Sequence, residues 1–252
     1  MAQVANRYIT ATKILNDTAV EVGINPIADP WNSTDPLFVQ MKYLLNNAGQ
    51  ELLELYEWPV LRASHTIVTD SGSYPDQIYP LPDDYAYMID QTGWDRDANL
   101  PLQGPMTPQQ WTYLEGRDLA SGTIYASFRL ANGDIMLYPP EGIADGRTIT
   151  FEYIMRTWGL TGSFPTQDPV DELQTGEDVI LYEPILIKRY LKMKFQAAKG
   201  FDTSVAVQEF TQAMDTWTGR SKGGKVLNAS GARRGFPFLN VWRNSPDTGY
   251  GL

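Results

Sequence analysis

The sequence predicts an α+β fold: a four-helix bundle drawn from the two ends of the chain, an inserted antiparallel β-domain, and an extended C-terminal tail. Three observations predict it. Apolar residues repeat at three and four in two segments near each end. The middle of the chain shifts to a period of two, punctuated by Gly, Pro and Asn. After Gly219 no period is sustained. Helices with one apolar face need covering, so packing the four together is the economical arrangement. The bounds that follow are 1–61 and 159–220 for the helices, 62–158 for the insertion and 221–252 for the tail.

In the first helix Tyr8, Ile14, Leu15 and Val22 fall near one face, and Gly23 with Pro26 supplies a stop. The second is predicted over about 36 to 57. Asp35 caps it, Pro36 suits the first position, and Leu37, Phe38, Met41, Leu44, Leu45, Ala48, Leu52, Leu55 and Tyr56 recur at helical spacing. In the insertion, Asn132-Gly133 is a two-residue turn that pairs Leu130 with Ile135 and Phe128 with Leu137. RTITFEYIM puts Ile149, Phe151, Tyr153 and Met155 on one face of a strand, and HTIVT and YAYMI read as further strands. Between them TPQQWTYLEG is a short helix with Thr107 and Gln110 forming a capping box and Gly116 ending it.

SFPTQDPVDELQTGED reads as a Pro-rich acidic connection. A third helix follows from about 178 or 183 to 199, with Ile187, Tyr190, Leu191, Phe195 and Ala198 on one side and Lys188, Lys192 and Lys199 on another; Gly200 stops it. The fourth starts at Asp202 and groups Val207, Phe210, Met214 and Trp217.

Composition narrows the chemistry. With 42% hydrophobic and 20% charged residues the chain is that of a globular protein. No leader or membrane span is read from it, and synthesis in the cytoplasm is expected. The absence of cysteine removes thiolate nucleophiles, disulfides and zinc-thiolate sites. The formal charge of −10 hides a basic end: Arg220, Lys222, Lys225, Arg233, Arg234 and Arg243 stand against Asp247 alone from residue 219 onward. A body this acidic repels phosphate, which disfavours tight gripping of nucleic acid and permits its passage.

The stretch LPDDYAYMIDQTGWDRD threads five aspartates among Tyr85, Tyr87 and Trp94. Carboxylates beside rings suit a sugar-cleaving site, yet Asp83 and Asp84 are neighbours that point to opposite faces, whereas a glycosidase needs two carboxyls converging on one cleft. Turn chemistry explains them better. His65 is the sole histidine and lacks a nucleophile elbow around it. Gly223-Gly224-Lys225 lacks the Walker spacing. No catalytic residue, metal or cofactor is assigned, and the chain is expected not to be an enzyme. Lys188, Lys192 and Lys199 are candidates for contact with neighbouring copies through the acidic body. In the tail, Phe236, Phe238 and Trp242 stand among Arg233, Arg234 and Arg243, a composition suited to ordering against a partner.

The ordered succession of LLNNAGQELLELYEWPVL, YPLPDDYAYMIDQTGWDRDANLPLQGPMTPQQW, FRLANGDIMLYPPEGIADGRTITFEYIMR and PILIKRYLKMKFQAAKGFD, over roughly residues 7 to 217, resembles the head-to-tail adaptors of short-tailed bacteriophages, the group related to tail tubular protein A. The resemblance implies a structural virion protein at the head-tail neck. It implies a homo-oligomeric, dodecameric ring beneath the portal protein, joined below to a tail nozzle like tail tubular protein B, and lining a passage for DNA. It also implies that the C-terminal segment reaches the portal, the role given to Arg233, Arg234, Phe236, Phe238, Trp242 and Arg243. One rival reading is a carbohydrate-binding or cell-wall-degrading tail module, motivated by Trp94, Trp111 and the nearby acids; another is a DNA-binding accessory protein using the basic tail.

Overall fold

A computed structural model describes residues 8–70, 77–116, 126–138, 146–162 and 167–221. Among them helices and antiparallel strands mix in an α+β fold. The elements run α1 (Ala11–Glu21), α2 (Pro36–Leu55), a 3-10 turn (Pro59–Leu61), β1 (Arg62–Val68), β2 (Ile78–Pro80), β3 (Tyr85–Met88), β4 (Trp94–Asp95) and β5 (Leu100–Pro101). They continue as α3 (Pro108–Gly116), β6 (Ser127–Ala131), β7 (Asp134–Tyr138), β8 (Thr148–Met155), β9 (Gly159–Thr161), β10 (Asp168–Val170), β11 (Val179–Ile180), α4 (Pro184–Lys199) and α5 (Ser204–Ser221). The chain divides into two compact units, changing from one to the other after Arg62 and back after Tyr153. No helix among the described residues is long and apolar enough to cross a membrane.

In the helical unit the caps are those the sequence predicts. Asp35 accepts from the Leu37 N–H at 2.9 Å with Pro36 in the first turn, and Gly200 closes α4 in the left-handed region at φ 74°. Asp202 accepts from the Ser204 N–H at 2.9 Å to start α5. The start of α1 is finished from far along the chain, where the carbonyls of Asp178 and Gly176 accept from the N–H groups of Ala11 and Thr12, both at 2.9 Å. Phe38, Met41, Leu45, Ala48 and Leu52 of α2 are buried at spacings of three and four, and α4 packs against α1, α2 and α5.

Two parts of the helical reading need correction. Leu55 and Ala198 are exposed, and on α5 the buried residue is Ala206, with Phe210, Met214 and Trp217 half-buried and Val207 exposed. Because α5 packs chiefly on α4, one narrow stripe suffices, and it lies one residue to the side of Val207. The acidic connection is not structureless either. β9, β10 and β11 form a three-stranded antiparallel sheet in the order β10-β9-β11. Strands of two or three residues are too short to show a period. Residues 163–166 of that connection lie outside the described residues.

Gly49 explains how tightly this unit is packed. A Cβ there would overlap the indole of Trp158, which is fully buried, and the Tyr182 hydroxyl donates to the Gly49 carbonyl at 2.8 Å. Gly49→Ala would gain about 1 kcal/mol of helix propensity, but the overlap falls on a ring with no room to move. A net loss of about 1–3 kcal/mol is expected, read as a lower midpoint in urea.

In the β-unit, β8 is central. β1, β3 and β4 pair with it, and β5 extends the sheet from β4. Ile149, Phe151 and Tyr153 are buried in alternation as predicted; after Tyr153 the alternation breaks, with Ile154 buried and Met155 half-buried. The predicted hairpin is β6–β7, with Leu130 opposite Ile135 and Phe128 opposite Leu137. Asn132 and Gly133 both take positive φ, 57° and 85°, as a type I′ turn requires. β2 adds to β7 as a third strand. Helix α3 carries the predicted capping box: the Thr107 N–H donates to Gln110 Oε1 at 2.9 Å and the Gln110 N–H to Thr107 Oγ1 at 3.3 Å.

Candidate functional site

The five aspartates of residues 81–97 divide by environment. Asp84 accepts from the Tyr153 hydroxyl at 2.8 Å, and burial together with that carboxylate pushes the Tyr153 hydroxyl up to about 12. Asp95, nearly fully buried, accepts from Arg147 at 3.0 Å and from the N–H groups of Asp97 and Ala98 at 3.1 and 2.9 Å. Asp97 accepts from the Thr148 N–H at 2.5 Å. These three carboxylates tie β4 and the loop after it to β8 or fix Tyr153. Asp83 and Asp90 are exposed. His65, on β1, lies 5.5 Å from the Phe151 ring; burial lowers its pKa, with Asp84 pulling the other way.

Asp95→Ala would strand two loop N–H groups and Arg147. The Arg147 side chain is about 29% exposed and can rehydrate, so the loss stays below that of a fully buried pair. About 2 kcal/mol is expected, measured as the shift in urea midpoint at unchanged slope.

Two concavities stand out. In the β-unit a groove of about 460 Å³ is lined by Tyr85, Tyr87, Trp94, Pro101 and Phe128 together with Asp90. In the helical unit a cleft of about 840 Å³ is lined by Trp58, Tyr182 and Trp217 together with Glu183, Arg189 and Arg220. The aromatic wall of that cleft is built from distant segments: the Trp58 ring lies 5.0 Å from Tyr182 and 4.7 Å from Trp217. Arg189 donates to the Glu209 carbonyl at 2.8 Å. Trp58 and Trp217 are visible in the sequence only as residues near helix ends; their meeting is a long-range fact that no local pattern encodes.

The lysines of α4 are mostly engaged within the chain. Lys188 pairs with Asp17 at 3.2 Å, and Lys192 with Glu209 at 3.1 Å and Glu21 at 3.6 Å, so both link α4 to its neighbours. Lys199 lies 5.4 Å from the Phe195 ring centroid. On the adjacent face Glu51 accepts from Tyr190 at 2.5 Å and pairs with Lys194. Burial alone would raise the Glu51 pKa, but its bonds to Lys194 and Tyr190 outweigh this and hold it low; Tyr190 is raised by burial and by Glu51. Large apolar side chains are exposed on the same unit, among them Tyr43 on α2, Ile185 on α4, and Phe201 and Val205 around the α4–α5 turn.

Arg233, Arg234, Phe236, Phe238, Trp242 and Arg243, with the whole predicted tail after Ser221, lie outside the described residues. No cluster of three or more His, Cys, Asp or Glu suited to a metal ion occurs among the described residues. Fold and sites together define an α+β protein with a helical unit, a β-unit and an aromatic-lined concavity in each. No family model matches the chain, and no curated protein matches it in sequence.

Proposed function

We propose that this chain is a structural head-to-tail adaptor of a short-tailed bacteriophage, self-associating as a ring between portal protein and tail nozzle and lining the path of the DNA. On this reading α1, α2, α4 and α5 form the four-helix bundle of the ring body, and the segment from Arg233 to Arg243 docks on the portal. The observation that carries the proposal is the surface of the helical unit. It leaves Tyr43, Ile185, Phe201 and Val205 in water and opens a cleft onto which Trp217, Arg189 and Arg220 face. Aromatic and arginine side chains are the usual anchors of protein interfaces, and apolar side chains left in water are stabilised when a partner covers them. The ordered sequence resemblance to the adaptors supports the same reading, and the acidic body suits a channel through which DNA slides.

Of the lysine stripe proposed to meet neighbouring copies, Lys188 and Lys192 already hold in-chain carboxylates, which leaves Lys199 the best placed of the three. The decisive experiment mixes the purified chain with portal rings and images the product. Added density as a ring on one portal face is expected, lost on deleting residues 222–252. A chain that stays monomeric beside intact portal rings sinks the proposal.

A further inference from the structure

The groove of the β-unit has a lining that points to a ligand of its own. We propose that it binds a short, uncharged oligosaccharide. Tyr85 and Tyr87 alternate on β3 and so leave the strand on the same side, with Trp94 of β4 also lining the groove. Ring faces of this kind cover the C–H face of a pyranose, and Asp90, Gln91 and Gln103 supply both acceptors and donors for its hydroxyls. At about 460 Å³ the groove lies within the range of small-molecule sites, roughly 300–1,000 Å³.

The wall is also fixed in advance. The Leu102 N–H donates to Gly93, the Gln103 N–H to Ala126, the Phe128 N–H to Gln103 and the Met106 N–H to Phe128, at 2.8 to 2.9 Å. A Cβ at Gly104 would meet the Phe128 carbonyl and ring, so the turn and the hairpin touch at the closest approach the backbone allows. A site that need not be ordered on binding keeps more of its contact energy.

Charge selects the ligand. Among the described residues no lysine or arginine lines the groove, so a phosphate or carboxylate would face Asp90 without a counter-charge. A quaternary ammonium would be drawn by the rings and Asp90, but it has no use for two amide side chains; a polyol uses all six groups. Asp90 is the one carboxylate among these lining residues, and hydrolysis by the usual route needs two, so the site holds sugar without cleaving it.

Isothermal titration of the full chain with cellotetraose, chitotetraose and maltotetraose, and with choline as cationic probe, tests this. Saturable binding of at least one tetrasaccharide is expected, weakened about tenfold or more by Trp94→Ala and by Asp90→Ala. Asp90 and Gln91 are exposed, so Asp90→Ala and Gln91→Ala preserve the melting temperature and keep the test valid if Trp94→Ala unfolds. The proposal is overturned if no tetrasaccharide binds saturably, if binding is untouched by all three variants, or if choline alone binds. Because portal binding is measured separately, failure here leaves the adaptor proposal standing, and the reverse holds.

Discussion

Replacing Trp58 with alanine is expected to destabilise the helical unit by about 3–5 kcal/mol. The side chain is fully buried, and its Nε1–H donates to the Leu52 carbonyl at 2.6 Å, one of the last-turn carbonyls of α2 that lack an intrahelical partner. Its ring meets Tyr56 edge-on at 5.5 Å as well as Tyr182 and Trp217. Truncation therefore removes a large ring, leaves a cavity between the end of α2 and the last turns of α5, and strands a carbonyl. Against a typical total of roughly 5–15 kcal/mol, the loss is about a fifth or more of the whole. Trp58→Phe refills most of the space and forfeits the hydrogen bond, so about 1–2 kcal/mol is expected. Urea unfolding followed by circular dichroism measures both. A stability for Trp58→Ala within about 1 kcal/mol of the parent would mean that α5 is held by α4 alone.

How far the sequence foretold this depended on how local each cause was. Asp35-Pro36, Gly200, the Thr107–Gln110 box and Asn132-Gly133 act within four residues, and each stands where it was read. The helix predicted to 57 ends at Leu55, because Trp58-Pro59 restricts the residues before it as well. β4, β5, β9, β10 and β11 are two or three residues long and exist only through their partners, so period alone was silent about them. The same limit hid both concavities. The sequence grouped Tyr85, Tyr87 and Trp94, but Gln103 and Phe128 join them through backbone pairing of the 102–106 segment with β6. Likewise Lys188 and Lys192 were legible as a basic stripe, while Asp17, Glu21 and Glu209 became their partners only when α1 and α5 packed on α4.

Asp178 should make the helical unit acid-sensitive, and Asp178→Ala should cost about 3 kcal/mol at neutral pH. The residue is fully buried. One carboxylate oxygen accepts from the hydroxyls of Thr161 and Thr175 at 2.7 and 2.6 Å, and the other from the N–H groups of Gln174 and Thr175 at 2.6 and 2.8 Å. Burial by itself would raise its pKa, but these four donors outweigh that and hold the carboxyl below its ordinary 3.8. The sign follows: a group whose folded pKa is depressed stabilises the fold above its unfolded pKa, and that contribution is lost as pH falls through the folded value. The gap between wild type and Asp178→Ala should thus be constant from neutral pH to about pH 5 and shrink below about pH 4. Asp178→Asn should cost less than alanine, because the threonine hydroxyls can turn to accept from an amide NH2 while its oxygen still serves the two backbone donors. It should also show no acid titration of its own. The same carboxylate fixes the turn whose carbonyls at Gly176 and Asp178 complete the start of α1, so hydrogen exchange at Ala11 and Thr12 should quicken first in the alanine variant. A gap that stayed constant down to pH 2 would show that the charge of Asp178 does not hold the turn, and a gap near zero at neutral pH would show that the backbone alone holds it.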